Sequence, residues 1–371
     1  MANFGQPRHI AIFLPSLEGG GAERVMVTLA NGFAARGHRV DLVLTKAEGP
    51  YRSEVSAHVN VIDLNRSRML TSLLPLIRYL SRERPHVMLS ALNHANIVAI
   101  LARKLAGVRT RLVVSERSSP SGAVGNRATT TMHWLMRLLY PYADGVIAVS
   151  QGVAMELVVD FCLDSRLVTA IPNPVAVPEI QRMAEQRPRH PWLQPGEPPI
   201  LLAVGRLVPE KDYATLLDAF ARLKTSRDGR LLILGEGPLR PELEQRIEEL
   251  GLNDSVELAG FQSNPFGWMA ACDLYVLSSR TEGFPNSLIQ AMACGARIVS
   301  TDCRNGPREI LEGGRWGRLV PVGDVEALET ALAEALDEVA SPDVLKRVAD
   351  FRPEKIIEIY EASLDLCAAR Q

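Results

Sequence analysis

Short apolar runs alternate along this chain with longer stretches in which apolar residues recur every three or four positions. The first pattern predicts buried strands and the second predicts helices covering them. In the first half the strand runs are Ile10 to Leu14, Val40 to Leu44, Val87 to Ser90, Leu112 to Ser115, Val146 to Val149 and Val168 to Ile171. In the second half they are Ile200 to Val204, Leu231 to Leu234, Val256 to Leu258, Leu274 to Leu277 and Ile298 to Ser300. Strands with so few polar positions fit a sheet covered on both faces, and regular alternation with helices predicts parallel βαβ units. The plainest helix runs from Ala22 to Arg36, with Gly37 where a left-handed cap is wanted.

Between the two series lies a change of composition. Residues 172–199 hold 8 of the 24 prolines, a density that marks a linker rather than an element. The expected organisation is therefore an amino-terminal Rossmann-like domain over 1–175, a proline-rich linker over 176–199 and a second Rossmann-like domain over 200–350. A last helix, within 351–371, is expected to pack back toward the first domain. A length of 371 residues suits two domains with separate cores.

Charge refines this picture. Residues 1–175 carry 19 Lys and Arg against 12 Asp and Glu, and the remainder carry 22 against 31, so the first half is the basic one. Such asymmetry points to nucleic acid or to an anionic membrane surface. Basic and aromatic residues do not interleave as a nucleic-acid motif would need, which leaves the membrane. Two Arg-rich amphipathic stretches, Arg66 to Arg84 and Arg127 to Tyr142, are the segments that would lie against it; simple cover for a sheet is the alternative. No apolar run approaches the roughly 18 to 20 residues of a spanning helix, and the amino terminus lacks the build of a secretory signal. The expected location is cytoplasmic, at the inner face of the membrane where it associates. Five cysteines without a CxxC pair suggest reduced thiols, neither a disulfide framework nor a zinc site.

The candidate chemistry sits in loops that follow strands. Leu17-Glu18-Gly19-Gly20-Gly21-Ala22-Glu23-Arg24 joins the first strand to the first helix, where backbone N–H groups can meet a phosphate. A dinucleotide-binding turn would need a third glycine where Arg24 stands, which counts against a nicotinamide enzyme. Gly205-Arg206-Leu207-Val208-Pro209-Glu210-Lys211 sets two cations around a loop suited to a diphosphate. Gly235-Glu236-Gly237 and Gly260-Phe261-Gln262 follow two further strands, with glycines that allow close approach or a simple tight turn. From Ser278 to Pro307 the order is strand end, Glu282, a Gly283-Phe284-Pro285 turn, a helix from Asn286 to Ala293, and another strand. Pro285 has no N–H, so Gly283, Phe284, Asn286 and Ser287 are the usable donors there. Glu116 and Arg117 follow another first-domain strand, as cleft residues or as an ordinary surface ion pair. Asn173 lies in the proline-rich joint.

Taken in order from Gly19 to Pro307, these loops resemble those of retaining GT-B glycosyltransferases of the family 4 type, the glycosyl transferases group 1. The family is marked by a Glu, seven residues and a second Glu; here the first is Glu282 and the second position holds Gln290. The resemblance implies two Rossmann-like domains facing an interdomain cleft. It implies transfer of a sugar from a nucleoside diphosphate, a UDP-linked hexose or N-acetylhexosamine, to a hydroxyl of a glycan or lipid-linked acceptor with retention of configuration. Arg206 and Lys211 would hold the leaving diphosphate and Glu282 the sugar hydroxyls, these three being the catalytic candidates. Gly20 and Gly21 would face the diphosphate. Gly205, Gly235, Gly237, Phe261, Gln262, Gly283, Phe284, Asn286, Ser287 and Gln290 complete the donor site. Glu116, Arg117 and Asn173 are acceptor-side candidates. No cofactor and no metal is implied, and no D-x-D triplet that could bridge one occurs. Gln290 keeps a carbonyl acceptor but loses the charge of the second Glu. It motivates an alternative, a nucleotide-sugar-binding partner subunit with weak or lost catalysis; a sugar-nucleotide epimerase is a further one.

Overall fold

The computed structural model describes residues 7–18, 20–120, 127–338 and 342–366, with backbone only for 127–129. The chain divides into two compact units, residues 1–174 with 353–371, and residues 175–352. In the first unit seven parallel strands are ordered β3-β2-β1-β4-β5-β6-β7. They are β1 (His9–Leu14), β2 (Arg39–Leu44), β3 (Val59–Asp63), β4 (Val87–Ala91), β5 (Arg111–Glu116), β6 (Gly145–Ala148) and β7 (Val168–Ala170). In the second, six parallel strands are ordered β10-β9-β8-β11-β12-β13. They are β8 (Ile200–Val204), β9 (Arg230–Leu234), β10 (Val256–Gly260), β11 (Leu274–Leu277), β12 (Ile298–Thr301) and β13 (Arg318–Val320). Both units are α/β with parallel sheets, as the alternation predicts.

Every residue of β1 is buried, because helices cover both faces of the sheet. The two strands that the pattern does not predict are β3 and β13. Both are edge strands with half-exposed positions, where polar residues such as Asn60 and Arg318 interrupt the apolar run.

In the first unit the helix Gly21–Ala35 ends as expected at Gly37, whose φ of 87° lets the amide of Gly37 reach the Ala34 carbonyl and that of His38 reach Phe33. The final helix, Pro353–Ser363, packs on this helix. Ile357 lies directly over Gly32, and Glu361 accepts a 2.6 Å charged hydrogen bond from Arg36. In the second unit the proline-rich stretch is more than a connector. It carries a helix, Val177–Ala184, that buries Val177, Ile180 and Ala184 against the second unit's own helices. Its prolines delimit that helix: Pro178 fits a first turn, where no N–H is needed.

Each sheet reverses its order beside its first strand, at β1/β4 in one unit and β8/β11 in the other. Crevices beyond the carboxyl ends of strands at such reversals are where open α/β sheets take ligands. The loops after β8 and β11 are those of Arg206, Lys211 and Glu282. Among the described residues no helix is long and apolar enough to cross a membrane. Of the five cysteines, Cys162, Cys272, Cys294 and Cys303 are free thiols, and burial pushes Cys294 and Cys303 up to about 12; Cys367 lies outside the described residues.

Candidate active site

In the second unit, the loops after β8 and β11 are tied together by four contacts. The Ser278 hydroxyl donates to the Lys211 carbonyl at 2.7 Å, and the Arg280 amide donates to the Glu210 carbonyl at 2.8 Å. Arg280 pairs with Asp212 at 2.9 Å, and Lys211 Nζ pairs with Glu282 Oε1 at 2.5 Å. Asp212 is buried in a left-handed conformation with φ of 49°, its carboxylate also accepting from the Thr215 hydroxyl at 2.8 Å. These ties hold Lys211 and Glu282, seventy-one positions apart in sequence, at one point of the reversal.

The Ser279 hydroxyl donates to the same Oε1 at 2.7 Å, while Thr301, at the end of β12, donates to the Ser279 carbonyl at 2.6 Å. Both contacts on Glu282 therefore fall on one oxygen. Among the described residues, Oε2 has no partner and remains able to accept. Arg206, by contrast, is exposed and has no carboxylate partner among the described residues. The site offers one oriented cation, one exposed cation and one carboxylate oxygen with spare acceptor capacity.

Gly205 follows β8 and lies above the buried Tyr213, whose phenol burial pushes well up, so that it stays neutral. Gly235 donates its amide to Gly260 and has φ of 145°; a Cβ there would lie 1.9 Å from the Gly205 carbonyl oxygen. The sequence places glycine here because the two loops touch through their backbones. Gly237 packs closely on Leu207, where a Cβ would lie 2.4 Å from the carbonyl oxygen. Phe261 projects into solvent after β10, and the Gln262 amide is bonded to the Ala259 carbonyl at 2.8 Å. Gly283 and Phe284 are buried, Phe284 stacking edge-on against Phe351 at 5.7 Å. The helix Asn286–Ala293 begins after Pro285 without a side-chain cap; Asn286 and Ser287 are its first residues, and Gln290 lies half-buried one turn further on.

In the first unit Gly20 precedes the helix that opens at Gly21, with the Glu23 carboxylate folded over it; Gly19 lies outside the described residues. The surface-pair reading of Glu116 and Arg117 does not hold, because Glu116, the last residue of β5, is buried and the Arg117 guanidinium, just past the strand, bonds to other residues. Glu116 is fully buried, accepting from the Tyr140 hydroxyl at 2.8 Å; that oxygen in turn accepts from the Asn96 amide at 3.1 Å. Burial, with a further contribution from buried Glu156, pushes the Glu116 carboxyl up to about 8. Its other oxygen, Oε1, has no partner. Arg117 faces the other way and donates to the Tyr360 hydroxyl at 3.0 Å, the Ser115 hydroxyl at 3.2 Å and the Asn173 side-chain oxygen. So the Arg117 side chain and Asn173 are brought together, while the Glu116 carboxyl accepts from Tyr140 instead.

Sequence reasoning missed Ser278, Ser279, Asp212, Arg280 and Thr301 in the second unit, and Asn96, Tyr140 and Tyr360 in the first. Only proximity to a strand end marks Ser278, Ser279 and Thr301 in the sequence. For Tyr140 and Tyr360 no local signal exists, because their partners are distant in the chain.

Comparison with known proteins agrees with this architecture. Residues 198–338 match the model of the glycosyl transferases group 1, and residues 19–177 match that of glycosyltransferase family 4. The chain is 32% identical over 342 residues, 89% of its length and 90% of the relative's, to an N-acetylgalactosamine-N,N'-diacetylbacillosaminyl-diphospho-undecaprenol 4-alpha-N-acetylgalactosaminyltransferase of Campylobacter jejuni. It is 26% identical, over 95% of its length and 96% of the relative's, to the lipopolysaccharide core biosynthesis glycosyltransferase LpsE of Rhizobium meliloti. Among solved structures, HepE of Anabaena in complex with UDP and glucose superposes with a TM-score of 0.78 at 22% identity, covering 96% of this chain and 99% of that one. Two Rossmann-like parallel-sheet units, the matched models and a full-length relative lead to one assignment: the chain belongs to glycosyltransferase family 4, the glycosyl transferases group 1, and is a glycosyltransferase of the GT-B fold.

Proposed function

We propose that the protein moves a sugar from a UDP-linked hexose or N-acetylhexosamine to a hydroxyl of a glycan or lipid-linked acceptor, with the α configuration retained. The observation that carries this reading is the Lys211–Glu282 pair at the β8/β11 reversal, with Glu282 Oε2 left to accept. Glu282 takes hydroxyls of the donor sugar on that oxygen. Lys211 and Arg206 meet the negative charge that grows on the departing diphosphate, and the backbone N–H groups of Gly283, Phe284, Asn286 and Ser287 add to it. Gly20, Gly21, Gly205, Gly235 and Gly237 let backbone approach the phosphates, Phe261 and Gln262 contact the base, and Gln290 takes the ribose.

The acceptor class rests on relatives: the Campylobacter jejuni protein is named for a diphospho-undecaprenol acceptor and the Rhizobium meliloti protein for the lipopolysaccharide core. Arg117 and Asn173 are the acceptor-side residues; buried Glu116 supports the strand behind them. The nucleotide rests on the loop chemistry and on the UDP bound by HepE.

The test is a donor screen with purified protein and UDP-, GDP- and ADP-sugars, scored for nucleotide release and for the anomeric configuration of the product. Release from one UDP-sugar with an α-linked product is expected. Lys211→Ala and Arg206→Ala should each lower turnover more than about a hundredfold, the scale for one charge-stabilising donor. Near-normal rates in both variants would remove the diphosphate assignment.

A further inference from the structure

The turn Gly283-Phe284-Pro285 carries amides assigned above to the departing diphosphate, and its own sequence does little to aim them. The helix that follows has no side-chain cap, and within the turn only Pro285 has a fixed φ. Among the described residues, the amides of Gly283 and Phe284 donate to no carbonyl and no side chain, although both residues are buried. Buried amides are nearly always paired, so two in succession without a partner mark a place where a ligand brings the acceptor. What holds the turn in place comes from elsewhere in the second unit.

Two neighbours bury it. One is Gly306, with φ of 90°; a Cβ there would sit 2.5 Å from Pro285 Cδ and 3.2 Å from Phe284 Cα, so its backbone lies directly against the turn. The other is Phe351, whose ring meets that of Phe284 edge-on with centroids 5.7 Å apart. Phe351 is 3% exposed, and its carbonyl accepts from the Val175 amide at 2.7 Å, which fixes the backbone beneath the ring.

Arg347, in the short helix Val344–Val348, joins these two supports. Its guanidinium lies over the Phe351 ring, 4.7 Å from the centroid. Its Nε donates to the Ile310 carbonyl at 3.0 Å and its Nη2 to the Glu309 carbonyl at 2.9 Å. Those carbonyls end the helix Pro307–Ile310, which Gly306 opens. Asp350 at 2.9 Å and Glu312 at 3.3 Å meet Nη1. A guanidinium serves both supports because its face stacks on a ring while its N–H groups donate in the plane; an ammonium offers no such plane. Exposed ion pairs would carry little weight, but the Arg347 side chain is only 14% exposed.

We propose that Arg347 and Phe351 are positioning residues of the donor site. Together they fix the Gly306 backbone and the Phe284 ring, and so aim the Gly283 and Phe284 amides at the second phosphate of the nucleotide. Both act through the turn rather than on the donor. The inference deepens the reading of this turn as a seat for the diphosphate and rests on it.

The experiment is calorimetric titration of the full chain with UDP, the proposed leaving group, and with UMP, which lacks the second phosphate. The variants are Arg347→Lys and Phe351→Met, with Lys211→Ala as the control on the underlying reading. The parent protein is expected to prefer UDP. Arg347→Lys and Phe351→Met should each weaken UDP about tenfold, the scale of one charged hydrogen bond, and leave UMP within about twofold. A purely structural role would lower the melting temperature and keep the preference for UDP, so thermal unfolding is recorded for each variant and titrations are run well below its midpoint. An unchanged preference in both variants, with the preference lost in Lys211→Ala, would overturn this inference alone. No binding of UDP, equal binding of UDP and UMP by the parent protein, or an unchanged preference in Lys211→Ala would overturn the diphosphate reading and this inference with it.

Discussion

The buried carboxyl of Glu116 makes the sharpest quantitative prediction. In the folded protein it keeps its proton to about pH 8, because burial disfavours the carboxylate and the negative Glu156 adds to the effect. In the unfolded chain the same group ionises near its ordinary 4.5. Between these two values the folded state binds more protons than the unfolded one, so stability falls as pH rises through that window. Below 4.5 the group has no adverse effect, and above about 8 the full cost is present. At roughly 1.4 kcal/mol per pH unit, the cost is on the order of 5 kcal/mol. Glu116→Gln has nearly the same shape, still accepts from the Tyr140 hydroxyl and carries no charge at any pH. The variant should match the parent or fall slightly below it at pH 5, and exceed it at pH 9. The melting-temperature difference should move by about 10 °C between these conditions, at the few degrees per kcal/mol typical of units this size. The assay is thermal unfolding of both proteins at pH 5, 7 and 9, with donor turnover measured alongside. A melting difference that stays constant across this range would refute the reasoning, for it would mean that Glu116 is ionised in the fold.

Three further outcomes follow from the site. Gln290→Glu restores a charged acceptor at the position proposed for the ribose, and donor affinity measured by calorimetry should rise about fivefold, the difference between a neutral and a charged hydrogen bond; unchanged affinity would place Gln290 off the nucleotide. Gly235→Ala forces a left-handed φ on alanine and sets its Cβ against the Gly205 carbonyl, so it should destabilise the second unit by about 2 kcal/mol or more and abolish donor protection. Normal melting with normal donor protection would show that the two loops are free to separate. Arg280→Ala removes the partner of buried Asp212 and should raise the donor KM more than it lowers kcat, because Arg280 positions Lys211 rather than touching the donor; a fall in kcat alone would contradict that role.

Much of this protein is decided by local sequence. Strands such as β1 and β11 are continuous apolar runs because both faces are covered, and that requirement is visible without any partner in view. The glycines at 37 and 235 stand where φ is positive, and the loops of Arg206, Lys211 and Glu282 follow predicted strands. Edge strands β3 and β13 escape because one side of each meets solvent and the apolar run dissolves.

What the sequence by itself determined is the interior strands, the two-unit α/β class and the loops that hold the chemistry. Only tertiary structure decided which groups meet. Lys211 and Glu282 become a pair because the strand order reverses between β8 and β11, bringing together loops separated by two strands' worth of chain. Glu116 and Arg117, adjacent in sequence at the end of β5, go to different partners, one into a buried network with Tyr140 and the other to Asn173 and Tyr360. The physical reason is the same in both cases. Periodicity is a property of a single element, whereas burial, charge pairing and a shifted proton affinity belong to contacts between elements, which no local pattern encodes.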